Sequence, residues 1–520
     1  MLELLYNMTK AREEGTTVVA AVELKWCLLP QMGVAEVEPA WASLVGAFIE
    51  APVAEGEVSE QLTSGWPAFR QLCHDALHTA LVPCHAPIPP ALLLLRIVHG
   101  FLATAAPPAD PVERTALQDL TTRLVGQCLS AIPRSNDAQN VKAGRHATAE
   151  SWQAVVAAVR SLRLETAPEQ APLAAAAAAA VEAAGPAAEA AAADAVGLLT
   201  LRWLGSTLPT LCRRVWSVDG DDDKLVSMLE GFVPPVVAQL DAKVPPPFAE
   251  AAATLISAFA ENAPTLQVWR PAVLLAVQRG SLFGCTPATL EALRPAVAAI
   301  FKTEPGRLTA LLARGQASGS ALGRASSAFK RSTDALAERA AGLRRLAFVL
   351  WCGAVEQHCS ALPTIVEALV QALQAAEQEE HRAGGIDGAS SLRASVFLCM
   401  RAVAVRTEQR NLAPFWPLAI AEMLRVLASD SRYAGAAPVV AAARKLLSIL
   451  RVLRPAEFAS FADMLGAPGR REHEDQDGGD FLADAASAQR QRAARLRGEG
   501  GAGALVEAER CLLGDIAAQE

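Results

Sequence analysis

The chain has 520 residues, enough for several domains or for one extended repeat array. Apolar residues make up 52% of it while aromatics make up only 5%, so Ala and Leu carry the hydrophobicity; that balance favours helix over strand and excludes disorder throughout. A net charge of −8 excludes the basic excess of a general nucleic-acid binder, and ten scattered Cys with no Cys-x-x-Cys pair read as reduced core residues of a cytosolic protein.

From the N-terminus, Met1 to Glu14 has acids within its apolar part and lacks the basic start and apolar run of an export signal. Cys73, His74, His78, Cys84 and His85 offer metal-ligating side chains, with His74 and His78 one helical turn apart. They lack an accompanying Cys-x-x-Cys or Glu-supported His pair, which favours a helix with Cys73 inward and the His residues at its surface. The apolar window from Pro90 to Ala106 is broken by Arg96 and His99 and is shorter than the roughly 20 residues of a spanning helix. Any membrane association is therefore expected to be peripheral.

Leu117, Leu120, Leu124 and Cys128 predict the first clear amphipathic helix, with Gln118, Asp119 and Arg123 on its other side. Thr166 to Asp194 is an Ala-rich low-complexity stretch, expected to be part helix and part linker. The acids Asp219, Asp221, Asp222 and Asp223 lack the spacing and terminal Glu of a calcium loop and read as a solvated turn. Val233-Pro234-Pro235 and Val244-Pro245-Pro246-Pro247 are expected to separate helices rather than lie inside them. Gly315 to Ser320 lacks the Lys-Ser/Thr of a phosphate-binding loop and reads as a connector.

Three further stripes follow: Leu343, Leu346, Ala347, Leu350 and Ala354; Val396, Cys399, Met400 and Val403; and Trp416, Ile420, Met423, Leu424 and Leu427. Pro414 and Pro417 bracket Phe415-Trp416, placing a helix start there, with the two aromatic rings expected in the packing between helices. Gly466 to Asp480 is a polar break, after which Phe481 to Glu520 is expected to form short helices separated at Gly498-Glu499-Gly500-Gly501. With no sustained period-2 alternation, the expected fold is all-α, an irregular HEAT-like α-solenoid of stacked helical hairpins. Its expected organisation is a helical region over 1–165, the insertion over 166–195, a second helical region over 196–465 and a weakly structured tail over 466–520.

Catalysis finds little support, because no Gly-x-Ser-x-Gly elbow occurs and the eight His are dispersed. Positive charge is locally denser. Lys330, Arg331, Arg344 and Arg345 form one cluster, and Arg401, Arg406 and Arg410, with Arg393, form another. Such clusters are candidates for an anionic lipid or partner surface, each base contributing on the order of 1 kcal/mol near a membrane. The plainer reading, and the one favoured, is solvated helix faces whose Arg stems cover the edges of the stack.

Three ordered motifs carry a resemblance: Leu343-Arg344-Arg345-Leu346-Ala347-Phe348-Val349-Leu350-Trp351, then Leu392 to Arg401 with Val396-Phe397-Leu398-Cys399-Met400, then Asn411 to Leu424 with Phe415-Trp416-Pro417. In residues and in order they resemble the C-terminal region of the Dopey family. Thr115 to Leu124 is similar to a further helix of that family, with weaker echoes in Lys224 to Val237, Ala251 to Leu255, Val268-Trp269-Arg270, Ala443 to Leu447 and Glu457-Phe458. The likeness extends over roughly residues 1 to 465. Full-length members are much longer and carry a separate N-terminal domain without counterpart here, so the chain is expected to be a fragment, a truncated product or a reduced homologue.

The resemblance implies a non-enzymatic cytosolic scaffold, peripheral on trans-Golgi network and endosome membranes. It further implies a large Arf-exchange-factor-like partner and phosphatidylinositol 4-phosphate membranes, with no cofactor and no nucleic acid. Binding residues are not carried over from it. Two other readings stay open on sequence: a soluble α-solenoid of nuclear-transport type, and a metal-dependent enzyme organised around Cys73 to His85.

Overall fold

The computed structural model describes residues 95, 98–99, 111–129, 186–216, 223–262, 266–317, 332–381, 386–427, 437–453 and 500–517. Among these residues there are thirteen α-helices and no strand, so the fold is all-α. The chain divides into two compact units, Met1–Val273 and Leu274–Glu520. Cys73 to His85, Lys330, Arg331, Asp219 to Asp222 and the polar break from Gly466 to Asp480 lie outside the described residues.

Proline placement explains many of the helix starts. Seven helices carry Pro in the first turn (Pro111, Pro186, Pro246, Pro287, Pro363, Pro417 and Pro438), where the absent N–H costs nothing and φ is preset for the helix. At Pro287 the cap is completed by Thr286, whose hydroxyl accepts from the Thr289 N–H at 3.3 Å.

The first unit contains α1 (Pro111–Leu129), α2 (Pro186–Val215), α3 (Asp223–Val237) and α4 (Pro246–Asn262). Its main contact is α2 on α4, with α3 bridging α4 and α1. The predicted stripe Leu117, Leu120, Leu124 and Cys128 is buried, as is the α2 stripe Leu201, Leu204, Leu208 and Leu211. Phe232 and Phe259 meet at 5.7 Å between α3 and α4. α2 starts at Pro186, so it runs without a break from the Ala-rich tract into its buried stretch.

Pro234 and Pro235 correct a sequence expectation, since both lie inside α3 rather than beyond it. They occupy its last turn, where the bonds they cannot donate would go to Glu230 and Gly231. Both of those residues are exposed, so water can take the freed carbonyls. The helix ends two residues later, at Val237. Pro246 and Pro247, by contrast, open α4 as expected.

Helix α5 (Leu266–Arg279) contains the division between the units. The second unit continues with α6 (Pro287–Thr303), α7 (Gly306–Ala317), α8 (Ser332–Cys352), α9 (Leu362–Glu380), α10 (Ile386–Arg406), α11 (Trp416–Leu427), α12 (Ala437–Leu453) and α13 (Gly500–Ala517). Its densest contacts skip one helix in the chain: α8 packs on α10 and α10 on α12. Contacts between α7 and α8, α9 and α10, and α11 and α12 join each hairpin. Successive hairpins thus stack along an inner row, the arrangement of an α-solenoid.

Helix α10 lies in the middle of that row, and α8, α9, α12 and α13 all pack against it. Val396, Phe397, Cys399, Met400, Ala402, Val403 and Ala404 are each at most 2% exposed, as expected of a helix that is apolar all round. Phe415 and Trp416 are buried at the start of α11 with their rings 6.4 Å apart. The glycines Gly500 and Gly501 begin α13 instead of interrupting it, and α13 folds back onto α6, α8, α10 and α12.

Two helical segments among the described residues, Cys359–Glu380 and Gly388–Arg406, are long and apolar enough to span a membrane. Packing gives each a different explanation. The second is 83% buried inside the protein. The first turns Ile365, Leu369, Ala372 and Ala376 inward and Glu367, Gln371, Gln374 and Gln378 outward, which is the pattern of a half-covered helix.

Close approach of α2 and α4 is centred on Gly205, where an added Cβ would lie 3.6 Å from the Leu255 Cα, in ordinary contact. Gly205→Ala should therefore be tolerated and gain up to about 1 kcal/mol of helix propensity. Gly205→Leu should force the helices apart and lose about 1–3 kcal/mol. Chemical denaturation of the two variants checks the order, and equal stability would contradict this packing.

Candidate functional site

Because α10 is covered on every side, the arginines it carries cannot stay hydrated, and each has to find a counter-charge inside the protein. Arg393 is fully buried. Its guanidinium grips the Glu380 carboxylate at the end of α9 through Nε at 2.7 Å and Nη2 at 3.2 Å, the two-pronged geometry that favours Arg over Lys. Its Nη1 donates to Glu422 of α11. Arg425 extends the chain of charges, reaching Glu422 at 3.5 Å and Glu377 at 3.4 Å. Burial pushes the Glu422 carboxyl above its usual range, opposed first by the charge of Arg393 and then by that of Arg425.

Arg401 and Arg406 belong to a second cluster, against α13. Arg401 pairs with Asp515, which Lys445 of α12 also reaches. Arg406 pairs with Glu509 at 2.8 Å through Nη1 and donates from Nε to the Trp351 carbonyl at 2.9 Å. Glu509 is shared with Arg294 of α6 at 3.5 Å, and Arg294 stacks 4.8 Å above the Trp351 ring. Burial lowers the Arg406 pKa, an effect countered first by Glu509. Glu509 and Asp515 of α13 thus each bridge bases from two different helices.

The end of α10 is fixed by Glu356, in the connector between α8 and α9. Its backbone sits in the left-handed region at φ +67°, uncommon for a residue with a side chain. From there its N–H donates to the Arg406 carbonyl at 2.9 Å, satisfying one of the orphan groups at the helix end. Its carboxylate accepts from the Cys359 thiol at 2.6 Å, the Glu408 N–H and the Asn411 amide. Those bonds, Cys359 foremost, hold the Glu356 carboxyl below its usual pKa, while burial and the same carboxylate raise the Cys359 thiol to about 11. Cys359 is therefore a protonated thiol at neutral pH, unsuited to nucleophilic chemistry. The Cys128 thiol is pushed to about 12 by burial alone.

These placements divide the residues predicted to form one basic surface. Lys330 and Arg331 lie outside the described residues. Arg344 and Arg345 are half-buried on α8, with burial lowering the Arg345 pKa against the nearby charge of Glu338. Arg401 and Arg406, at 2% and 7% exposure, face the protein interior and do not join a solvent-facing patch. The solvated-face reading fails for them on the same ground. Arg410 is 72% exposed and paired with Glu408 at 3.0 Å, an ordinary surface pair. The acids that complete the clusters, Glu380, Glu422, Glu509 and Asp515, were not singled out in the sequence. Their one signal was a run of arginines on a helix apolar all round.

Elsewhere the second unit offers a shallow cavity of about 100 Å³ between α7, α8 and α9, lined by Leu312, Leu343, Leu346 and Ala372 and edged by Arg339 and Gln371. That is well below the roughly 300 Å³ at which small-molecule pockets begin. Among the described residues no group of three or more His, Cys, Asp or Glu is placed to hold a metal ion.

Comparison with known proteins adds a family. Residues 176–463 match the family described as DOP1 C-terminal. A protein from Drosophila melanogaster named "Protein DOP1 homolog" is 35% identical over 89 residues, which are 17% of this chain and 3% of the fly protein. Its namesake in Drosophila pseudoobscura pseudoobscura is 34% identical over 84 residues, 16% of this chain and 3% of that protein. The matched segments thus cover a small part of the curated relatives' length. No solved structure matches.

Two outcomes test the clusters. Arg393→Met keeps most of the volume but strands Glu422 and Glu380, and should cost about 3–5 kcal/mol at neutral pH. Without Arg393 the Glu422 carboxyl rises further above its unfolded value of about 4.3. A folded pKa so raised gives stability that is present below the unfolded value and lost as pH rises through the folded one. The deficit against wild type should accordingly be smaller at pH 5 than at pH 8 in thermal melts, and a pH-independent deficit would contradict the assignment. At the connector, Glu356→Ala loses the carboxylate and keeps a Cβ at positive φ, whereas Glu356→Gly loses the carboxylate but also the Cβ, and with it the left-handed strain. Both should destabilise, with Ala worse by about 1 kcal/mol in denaturant titrations.

Proposed function

The chain belongs to the DOP1 C-terminal family, the Dopey family of the sequence motifs, and from that membership we propose that it is a non-enzymatic scaffold in vesicle-mediated transport. Its place of action on this reading is between the trans-Golgi network and endosomes, peripheral on their membranes. The observation that carries the reading is the family match over residues 176–463, which covers most of the stacked helices described above. A large Arf-exchange-factor-like protein and phosphatidylinositol 4-phosphate are the proposed partner and lipid. Stacked helices suit such a role physically, because they offer broad preformed surfaces on which several modest contacts add through avidity.

A lipid contact on this chain would have to draw on bases that the interior does not use. Arg401 and Arg406 pair with α13 inside the protein, so the test turns to Arg344 and Arg345, half-buried on α8. Co-sedimentation with liposomes containing phosphatidylinositol 4-phosphate, with and without the exchange-factor-like partner, tests the proposal. Binding should weaken with salt, and Arg344→Ala with Arg345→Ala should reduce it by about fivefold per base, at on the order of 1 kcal/mol each. Failure to bind either liposomes or the partner, with recruitment to Golgi-derived membranes also absent, would overturn the reading.

A further inference from the structure

Helix α13 lies beyond the family match, yet the walls around it lie within that match. Those walls are α6, α8, α10 and α12, and α13 turns Ala508, Leu512, Leu513 and Ile516 down between them. Four bases line the walls: Arg294, Arg401, Arg406 and Lys445. Against them α13 brings two carboxylates, Glu509 and Asp515, and the wall itself adds Glu291 beside Arg294 at 3.4 Å. The groove is basic relative to its occupant.

That occupant also satisfies the groove incompletely. Arg401 and Arg406 each engage α13 through one nitrogen, although a guanidinium can grip a carboxylate with two. Arg401 Nε, Arg406 Nη2 and the indole Nε1 of Trp351 are buried without an acceptor among the described residues, and their side chains are more than nine-tenths buried. Each unmet donor in such a place costs free energy that a better-fitting acceptor would recover.

We propose that this groove is a docking site for an acidic amphipathic helix of a protein partner, and that α13 fills it as an intramolecular substitute. The ligand it fits has an apolar stripe at the spacing of Ala508, Leu512 and Ile516, with carboxylates six positions apart flanking it, as Glu509 and Asp515 do. Tethered through residues 454–499, α13 holds the groove by local concentration rather than by ideal contacts. A partner helix with better-placed carboxylates displaces it. The inference deepens the scaffold reading, but its test involves no membrane and no exchange factor, so failure of one is distinguishable from failure of the other.

The probe is a fluorescent peptide of residues 500–520, titrated against the full chain and followed by anisotropy. Wild type should bind it weakly, because α13 is already in place. The full chain carrying Glu509→Lys and Asp515→Lys should release α13 and bind the peptide at least tenfold more tightly, with affinity falling as salt rises. A peptide with the same two substitutions should not bind either chain. Equal, weak binding by wild type and variant would overturn the proposal. Should the variant fail to fold, hydrogen exchange of wild type decides instead. Saturating peptide should strip protection from residues 505–516 while α10 and α12 stay protected, and unchanged protection would overturn the proposal. A wild-type dimer in light scattering that the peptide dissociates would assign the groove to a second copy of this chain and would overturn it as well.

Discussion

A guanidinium inside a helix that is packed on all sides needs a counter-charge within side-chain reach, and α10 imposes that requirement three times. Arg393 ties the end of α9 to α11 through Glu380 and Glu422, and Arg401 and Arg406 fix α13 through Asp515 and Glu509. Apolar burial alone would let these helices slide or rotate against α10 at modest cost, since dispersion and hydrophobic contact are not directional. The charged pairs are directional. Replacing a buried pair by apolar residues is often neutral or stabilising, so their worth lies less in total stability than in fixing which helix sits where.

The same constraint accounts for the connector at Glu356. The last carbonyls of α10 have no partner within the helix. Glu356 answers with its N–H on the Arg406 carbonyl, while its carboxylate gathers the Glu408 N–H and the Asn411 amide that follow the helix. A left-handed backbone at a residue with a Cβ is the cost of placing both groups at once. Local strain and buried charge thus serve one helix, the one on which the second unit is stacked.

How much of this was legible in the sequence depends on range. The stripes Leu117 to Cys128, Val396 to Val403 and Trp416 to Met423 are one-sided or apolar patterns set by neighbours within two turns, and the structure buries them. Pro417 at the start of α11 was equally readable, because the effect of proline on its own backbone is local. Pro234 and Pro235 misled because a proline pair in a last, exposed turn is tolerated where one in a covered turn is not. The pairing of charges was not legible, because Arg401 and Asp515 are 114 positions apart and no local pattern joins them. Read as clusters in sequence, the arginines looked like a surface; read against a helix apolar on every side, they demanded buried acids.

That distinction bears on the scaffold role proposed above. Charges consumed inside a fold exert little field at a membrane, because their partners cancel them within a few ångströms and the pair acts at most as a dipole. The affinity of this chain for an anionic surface therefore cannot be estimated by adding the arginines of α10. Among the outward faces, that of α9 presents Glu367, Gln371, Gln374 and Gln378 and so offers polar contact rather than positive charge. A face of this kind offers shape and hydrogen bonding rather than charge. Stacking hairpins on a rigidly indexed central helix sets that shape, since it holds distant parts of the surface in fixed register.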